Sequence, residues 1–246
     1  MSKILFSPLD TNTDLILKHV PPPVLGTTLV PQWFKGTPRY HHGSTEMQVK
    51  DGWHNLTVKH CMPFLDAMTA GYFITTWIDM TIVLENGVPR VSYPDVSVVE
   101  AFGFDVARYQ PFFESRVPSP SGSGLFNWAW STYWRIKTEP GVSCLFTHPM
   151  NRTDLPFKTL SGVTDTDKWG GSDVLNFALD EGFEGLIPRG TPIAQIIPFR
   201  RETWDSSVST EVDVEHKLVR DEVNDLRMNH TKSGYYRDNL HTRKRY

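Results

Sequence analysis

The stretch Phe126-Asn127-Trp128-Ala129-Trp130-Ser131-Thr132-Tyr133-Trp134-Arg135-Ile136-Lys137 decides the fold. Phe126, Trp128, Trp130, Trp134 and Ile136 fall on one face of an extended chain, interrupted only at Thr132, while Asn127, Ser131, Arg135 and Lys137 fall on the other. Alternation at period two marks a strand that buries one face. Glu139-Pro140-Gly141 follows with the chemistry of a type II turn, proline setting φ and glycine accepting the positive value. Val142–Thr147 is then expected to run back antiparallel. Upstream, Gly71–Leu84 is rich in β-branched and aromatic residues. It leads into Glu85-Asn86-Gly87-Val88, a hairpin turn in which Asn-Gly takes the positive φ values of type I′. Val91–Val99 is the expected return strand. A last strand, Ile193–Phe199, follows the turn at Pro188-Arg189-Gly190.

The rest of the chain agrees with this reading. Eighteen prolines and seventeen glycines among 246 residues interrupt nearly every long helix before residue 205. The fold class expected is mainly β, an antiparallel sandwich or jelly-roll-like domain spanning residues 1–209, with a flexible loop at 118–124. Beyond Thr210, Val212, Val219, Val223 and Leu226 recur at helical spacing, so Thr210–Met228 reads as an amphipathic helix. With the basic tail it makes a second segment, 210–246. That tail, from Asn229, sets five cations against Asp238 for a net +4, leaving −7 in the rest of a chain whose total is −3. The 12% aromatic content excludes global disorder. The longest apolar run, Ala70–Leu84, is too short for a membrane span and contains Asp79. No secretory signal is read at the start. Two cysteines, Cys61 and Cys144, point to a reducing, intracellular setting.

Two clusters are candidate sites. Asp165 and Asp167 stand at alternate positions, so on an extended strand both carboxylates share a side. Such a pair can hold a hard cation or, by mutual repulsion, split its pKa values for acid–base work. The competing reading is an Asx-rich turn in which each carboxylate accepts backbone N–H groups. His148, Asn151, Arg152 and Asp154 gather at the end of an expected strand. There Arg152 can clamp a carboxylate or phosphate and His148 can titrate near neutrality; equally, Arg152 and Asp154 can pair with each other. In Tyr40-His41-His42, near Glu46, adjacent histidines on a strand face opposite ways and cannot share a metal, and the spacing of His54, His60 and Cys61 matches no zinc pattern. The tryptophan stripe is read as core rather than a stacking platform.

Several motifs carry a resemblance. Gly124-Leu125-Phe126-Asn127-Trp128, Trp134-Arg135, Pro140-Gly141-Val142-Ser143, Pro149-Met150-Asn151-Arg152 and Leu160–Asp167 form an ordered series. Together with Cys61–Leu65 and Gly71-Tyr72, it resembles uncharacterised proteins of tailed phages, cyanophages especially, with bacterial relatives of unknown function. The resemblance implies a virus-encoded protein of the host cytoplasm or the virion, and no particular activity. Residues 162–199 are similar to the third and fourth motifs of dUTP pyrophosphatases, on Gly162-Val163-Thr164-Asp165-Thr166-Asp167 and Gly190-Thr191-Pro192-Ile193-Ala194-Gln195. By that resemblance Asp165 is the acid that positions water, with Trp169 near the base-stacking position. The aromatic sits one place late, however, and the arginine–serine–glycine phosphate motif has no counterpart upstream. The expectation is therefore a binding protein with a loop-end pocket for a polar ligand, using His148, Asn151, Arg152, Asp154 and Trp169. The alternatives are a metal-dependent or nucleotide-hydrolysing enzyme using Asp165 and Asp167, and a virion assembly component. Cofactor and metal are left open. The C-terminal helix is the expected contact to a second subunit, with nucleic acid and membrane not expected as partners.

Overall fold

The computed structural model describes residues 3–51, 53–103, 105–109, 119–169, 174–228 and 236–244, without the side chains of 125–127 and 226–228. The chain falls into two compact units. One comprises Met1–Leu29 and Met68–Arg201; the other comprises Val30–Ala67 and Glu202–Arg245. This division does not follow 1–209 and 210–246, because residues 30–67 group with the C-terminal segment.

The first unit is built of antiparallel strands. A five-stranded sheet runs in the order β13 (Gly162–Thr164), β11 (Val142–Thr147), β16 (Pro192–Arg200), β5 (Tyr72–Thr75) and β2 (Val24–Leu25). A four-stranded sheet runs β12 (Phe157–Thr159), β14 (Val174–Asp180), β9 (Ser123–Ser131) and β8 (Ala107–Tyr109). A three-stranded sheet joins β15 (Gly185–Ile187), β6 (Met80–Glu85) and β7 (Val88–Ser92). β1 (Ile4–Pro8) pairs with β10 (Trp134–Thr138).

The hairpin at Asn86-Gly87 forms as expected, with φ of 54° and 79°. The stretch around the tryptophans needs correction. It is two strands in different sheets, β9 and β10, divided at Thr132-Tyr133, where the alternation already faltered. Nor do β10 and β11 pair across the Pro140-Gly141 turn, although Gly141 takes φ 82°. The chain changes sheets there, and β11 runs between β13 and β16. The polar face of the stripe is buried at Ser131, whose hydroxyl donates to the Asp105 carbonyl at 2.6 Å. The loop expected at 118–124 ends early because β9 begins at Ser123, and Pro118 lies outside the described residues.

The expected return strand 91–99 is shorter than expected and its second half is helical. Asp95 caps α4 (Val96–Phe102), its carboxylate accepting from the Val98 N–H, and Gly103 ends it at φ 74°. Capping outweighs the β-branched composition there. α1 (Thr13–His19) is likewise missed by the sequence reading.

The core of this unit surrounds Trp130, which is fully buried. Its indole stacks on Phe177 at 3.7 Å and meets Phe157 edge-on at 5.0 Å. Its N–H reaches the Thr159 hydroxyl at 3.1 Å, and that hydroxyl donates to the Ile193 carbonyl. Trp128 and Trp134 are also buried, so the stripe is core. Where β2 and β5 meet, Gly71 holds φ +65° directly against the Ile196 carbonyl, and its own carbonyl accepts from Gly26.

In the second unit, α2 (Gln32–Gly36) brings Trp33 and buried Phe34 against Phe64 of α3 (Met62–Thr69), with Lys59 Nζ 5.0 Å over the Phe34 ring. β3 (Val49–Lys50) and β4 (Trp53–His54) make a small hairpin. The described part of the basic tail folds back onto α3. His241 Nε2 and Lys244 Nζ both lie 3.0 Å from the Asp66 carboxylate. Burial raises the Asp66 pKa, but the hydrogen bonds from Lys244 and His241 outweigh it and hold it below the ordinary range. Lys232 and Arg245 lie outside the described residues. α5 (Val214–Met228) forms within the expected 210–228, capped by Asp213, which accepts from the His216 N–H at 3.0 Å. Among the described residues, no helix is long and apolar enough to cross a membrane.

Candidate functional site

Strand β13 ends at Thr164, where Cys144 faces it across the ladder, and the chain then curls into a turn. The Lys168 and Trp169 N–H groups donate to the Asp165 carbonyl at 2.9 and 2.8 Å. Thr166, in the middle, is buried and shares a 2.7 Å hydroxyl hydrogen bond with Thr138. Asp165 and Asp167 are thus not on an extended strand. What brings their carboxylates together is Arg201, just past β16. One guanidinium nitrogen lies 3.1 Å from Asp165 Oδ1 and 2.9 Å from Asp167 Oδ1, and it also donates to Ser143 Oγ at 2.8 Å. The other nitrogen donates to Asp167 Oδ2. Ser143 Oγ donates to Asp165 at 2.7 Å, and the Gly141 N–H donates to Asp167 at 2.8 Å.

Both carboxylates are held below their ordinary pKa range, so the pair is not split. Hydrogen bonding to Arg201 is the main cause for Asp167, and the Ser143 hydroxyl is the main cause for Asp165. Two like charges share a site without raising either pKa because a fixed cation lies between them. Trp169 is exposed beside this network, and Lys168 Nζ stands 4.0 Å from Asp165. Nothing in the local sequence ties Arg201 to a turn 34 residues earlier, so its part in this network is not readable from its neighbours.

A consequence can be tested by acid unfolding. The folded carboxylate of Asp167 binds a proton less tightly than the unfolded one. The pairing's contribution is therefore complete above the unfolded pKa of about 3.9, and it fades as pH falls toward the folded value. Asp167→Asn should lower the melting temperature at pH 7. The gap between variant and wild type should narrow progressively as pH falls below about 4 in paired thermal melts.

The second cluster lies at the other end of β11. Five residues separate Ser143 from His148, about 17 Å along an antiparallel strand. His148 is tied down: its Nε2 lies 3.2 Å from the Arg152 carbonyl, and its Nδ1 accepts from the Thr159 N–H at 3.3 Å. Burial lowers its pKa, which keeps the ring neutral. Arg152 turns its fork onto Asp154 at 2.8 and 2.9 Å, with its side chain 12% exposed, so the internal pair is the one formed. Asn151 sits in the turn at φ 61°. His148, Asn151, Arg152 and Asp154 therefore stand together, while Asp165, Asp167 and Trp169 stand elsewhere. The two clusters do not meet in one hollow.

The histidine-rich segment falls in the second unit. His60 packs against Tyr40 at 5.2 Å between ring centres, and burial lowers its pKa. Among the described residues, no group of three or more His, Cys, Asp or Glu side chains is placed to hold a metal ion.

The first unit also contains a cavity of about 180 Å³ that the sequence reading did not anticipate. It opens between the β6–β7 hairpin, the start of β9 and the turn after β14. Leu84, Trp128, Leu179 and Phe183 give it apolar walls, Asp180 and Glu181 add carboxylates, and Gly124 leaves space at its side. Asp180 is held by Lys158 Nζ at 3.0 Å. Its walls come from three segments far apart in sequence, so no local motif could announce it.

No protein-family model, curated protein or solved structure matches this chain.

Proposed function

We propose that this chain is a non-catalytic accessory binding protein of the tailed-phage type, acting in the host cytoplasm. On this reading the antiparallel sheets form a sandwich of jelly-roll type with a ligand hollow at one rim. The observation that carries the proposal is the cavity beside Trp128. An apolar hole of about 150 Å³ is enough to hold benzene, so this one accommodates a ring or a short aliphatic chain. Glu181 in the lining favours a ligand with a positive end, the Asp180 carboxylate being already paired with Lys158. Such a ligand is a small amphipathic cation rather than the polar molecule expected from the sequence. The loop-end location is retained, but at a different set of loops from His148–Asp154.

The hydrolase alternative has less support. Each oxygen of the Asp167 carboxylate is engaged by Arg201, and the pKa of each acid is displaced downward, away from the value a general acid near neutral pH requires.

Titrating the full-length protein with benzylamine tests the proposal, with the Trp128 indole N–H resonance as the signal. Saturable shifts with a Kd of about 1 mM or tighter are expected. Gly124→Leu should abolish them. Gly124 lines the cavity, and a Cβ there meets nothing nearer than the Leu179 carbonyl oxygen at 4.0 Å, so the backbone accepts a side chain at this position. Absence of saturation in the wild type, or equal affinity in a folded Gly124→Leu variant, would remove the proposal.

A further inference from the structure

From Glu202 to Arg220 the chain presents a run of exposed apolar side chains. Trp204 is 84% exposed and Val208 96%, and Val212, Val214 and Leu218 are exposed as well. The run leads into α5, a fifteen-residue helix about 22 Å long. On its stripe, Val219 and Val223 are only half-buried. Val214 and Leu218 lie on other faces of the helix, which leaves Val219 and Val223 as its partly exposed apolar stripe.

The charges flanking the stripe indicate what covers it. In a heptad frame, Val212, Val219 and Leu226 occupy d positions, and His216 and Val223 occupy a positions. Glu215 and Glu222 are then both at g, while Arg220 and Arg227 are both at e. One flank is acidic and the other basic, and the acid-to-base spacing is five residues both times. Neither glutamate has an ion-pair partner among the described residues, and Arg220 makes only an exposed 3.4 Å contact with its neighbour Asp221.

Two such helices related by a two-fold axis can run parallel or antiparallel. Antiparallel pairing sets g against g and e against e, which opposes glutamate to glutamate and arginine to arginine. Parallel pairing sets g against e five residues on, which brings Glu215 to Arg220 of the second copy and repeats the match at Glu222 and position 227. A β-branched residue at a with leucine at d, as at Val223 and Leu226, favours two strands.

We infer that α5 is a parallel homodimerisation helix, its partner a second copy of this chain held in register by g-to-e′ ion pairs. Two heptads cover less than the roughly 800 Å² per partner of a standard interface. The dimer is therefore weak and concentration-dependent. The inference is independent of the cavity reading.

Sedimentation velocity on the full chain tests it. The mass should rise from 28.1 kDa toward twice that value between about 1 and 500 μM. Reversing one flank (Glu215→Arg with Glu222→Arg), or the other (Arg220→Glu with Arg227→Glu), should each weaken self-association about tenfold or more. An equimolar mixture of the two variants should recover it. In a Cys61→Ser background, His216→Cys should form an interchain disulfide under mild oxidation, because residues at 216 adjoin only in the parallel arrangement. Circular dichroism confirms that the helix persists in each variant. A constant 28.1 kDa at all concentrations overturns the inference. So does dimerisation indifferent to both reversals, failure of the mixture to recover it, or absence of the disulfide.

Discussion

Trp130→Ala should cost the protein about 4 kcal/mol, a large part of the 5–15 kcal/mol that separates folded from unfolded domains. The indole is fully buried, stacked on one ring and edged by another, in a sheet whose neighbours cannot close around the gap. Truncation removes a double-ring side chain and leaves a cavity that close-packed walls only partly fill. It also strips the donor from Thr159 Oγ1, which keeps its own bond to the Ile193 carbonyl. Trp130→Phe retains a ring for Phe177 to stack on and should lose less than half as much. Trp204→Ala, at a side chain 84% exposed, should change stability by no more than about 0.5 kcal/mol. Urea unfolding followed by far-ultraviolet circular dichroism measures all three. Equal midpoints for Trp130→Ala and Trp204→Ala would contradict the core assignment.

Gly71→Ala is the second large effect, at about 3 kcal/mol. Two causes add. An alanine at φ +65° meets the left-handed penalty of about 1–2 kcal/mol, and its Cβ collides with the Ile196 carbonyl, which is bonded into the adjacent β16 strand. The causes separate by comparison with Gly87→Ala. That position also has positive φ, 79°, but nothing stands within 4 Å of the added atom. Gly87→Ala should therefore show the conformational cost alone, about 1–2 kcal/mol. If the two variants unfold at the same urea concentration, the close approach of Gly71 to β16 is wrong.

Features written in a few adjacent residues were legible in the sequence. Asn86-Gly87 announced its hairpin, Pro140-Gly141 its turn, and the Val/Leu spacing after 210 its helix, because each depends on local backbone preferences. Pairing was not legible. The alternation through Phe126–Lys137 marked burial on one face, yet it could not show that the chain leaves one sheet for another at Thr132-Tyr133. Val91–Val99 read as one strand because its β-branched residues were prominent, whereas Asp95 and Gly103 cap a helix over its second half. At the candidate sites, the internal Arg152–Asp154 pair lay within seven residues and was foreseen as one of two readings. Arg201 was not, since its partners Ser143, Asp165 and Asp167 come to it only through the β11–β16 and β11–β13 ladders. The cavity was hidden for the same reason.

The pairing of β1 with β10 ties residues 4–8 to residues 134–138. A nascent chain emerging at 5–20 residues per second carries Ile4–Pro8 for roughly ten seconds before its complement exists. Throughout that interval the opening strand has unsatisfied hydrogen-bonding edges. β1 therefore cannot complete its ladder until residue 138 has emerged, and the unit closes around its opening strand only in the later part of synthesis.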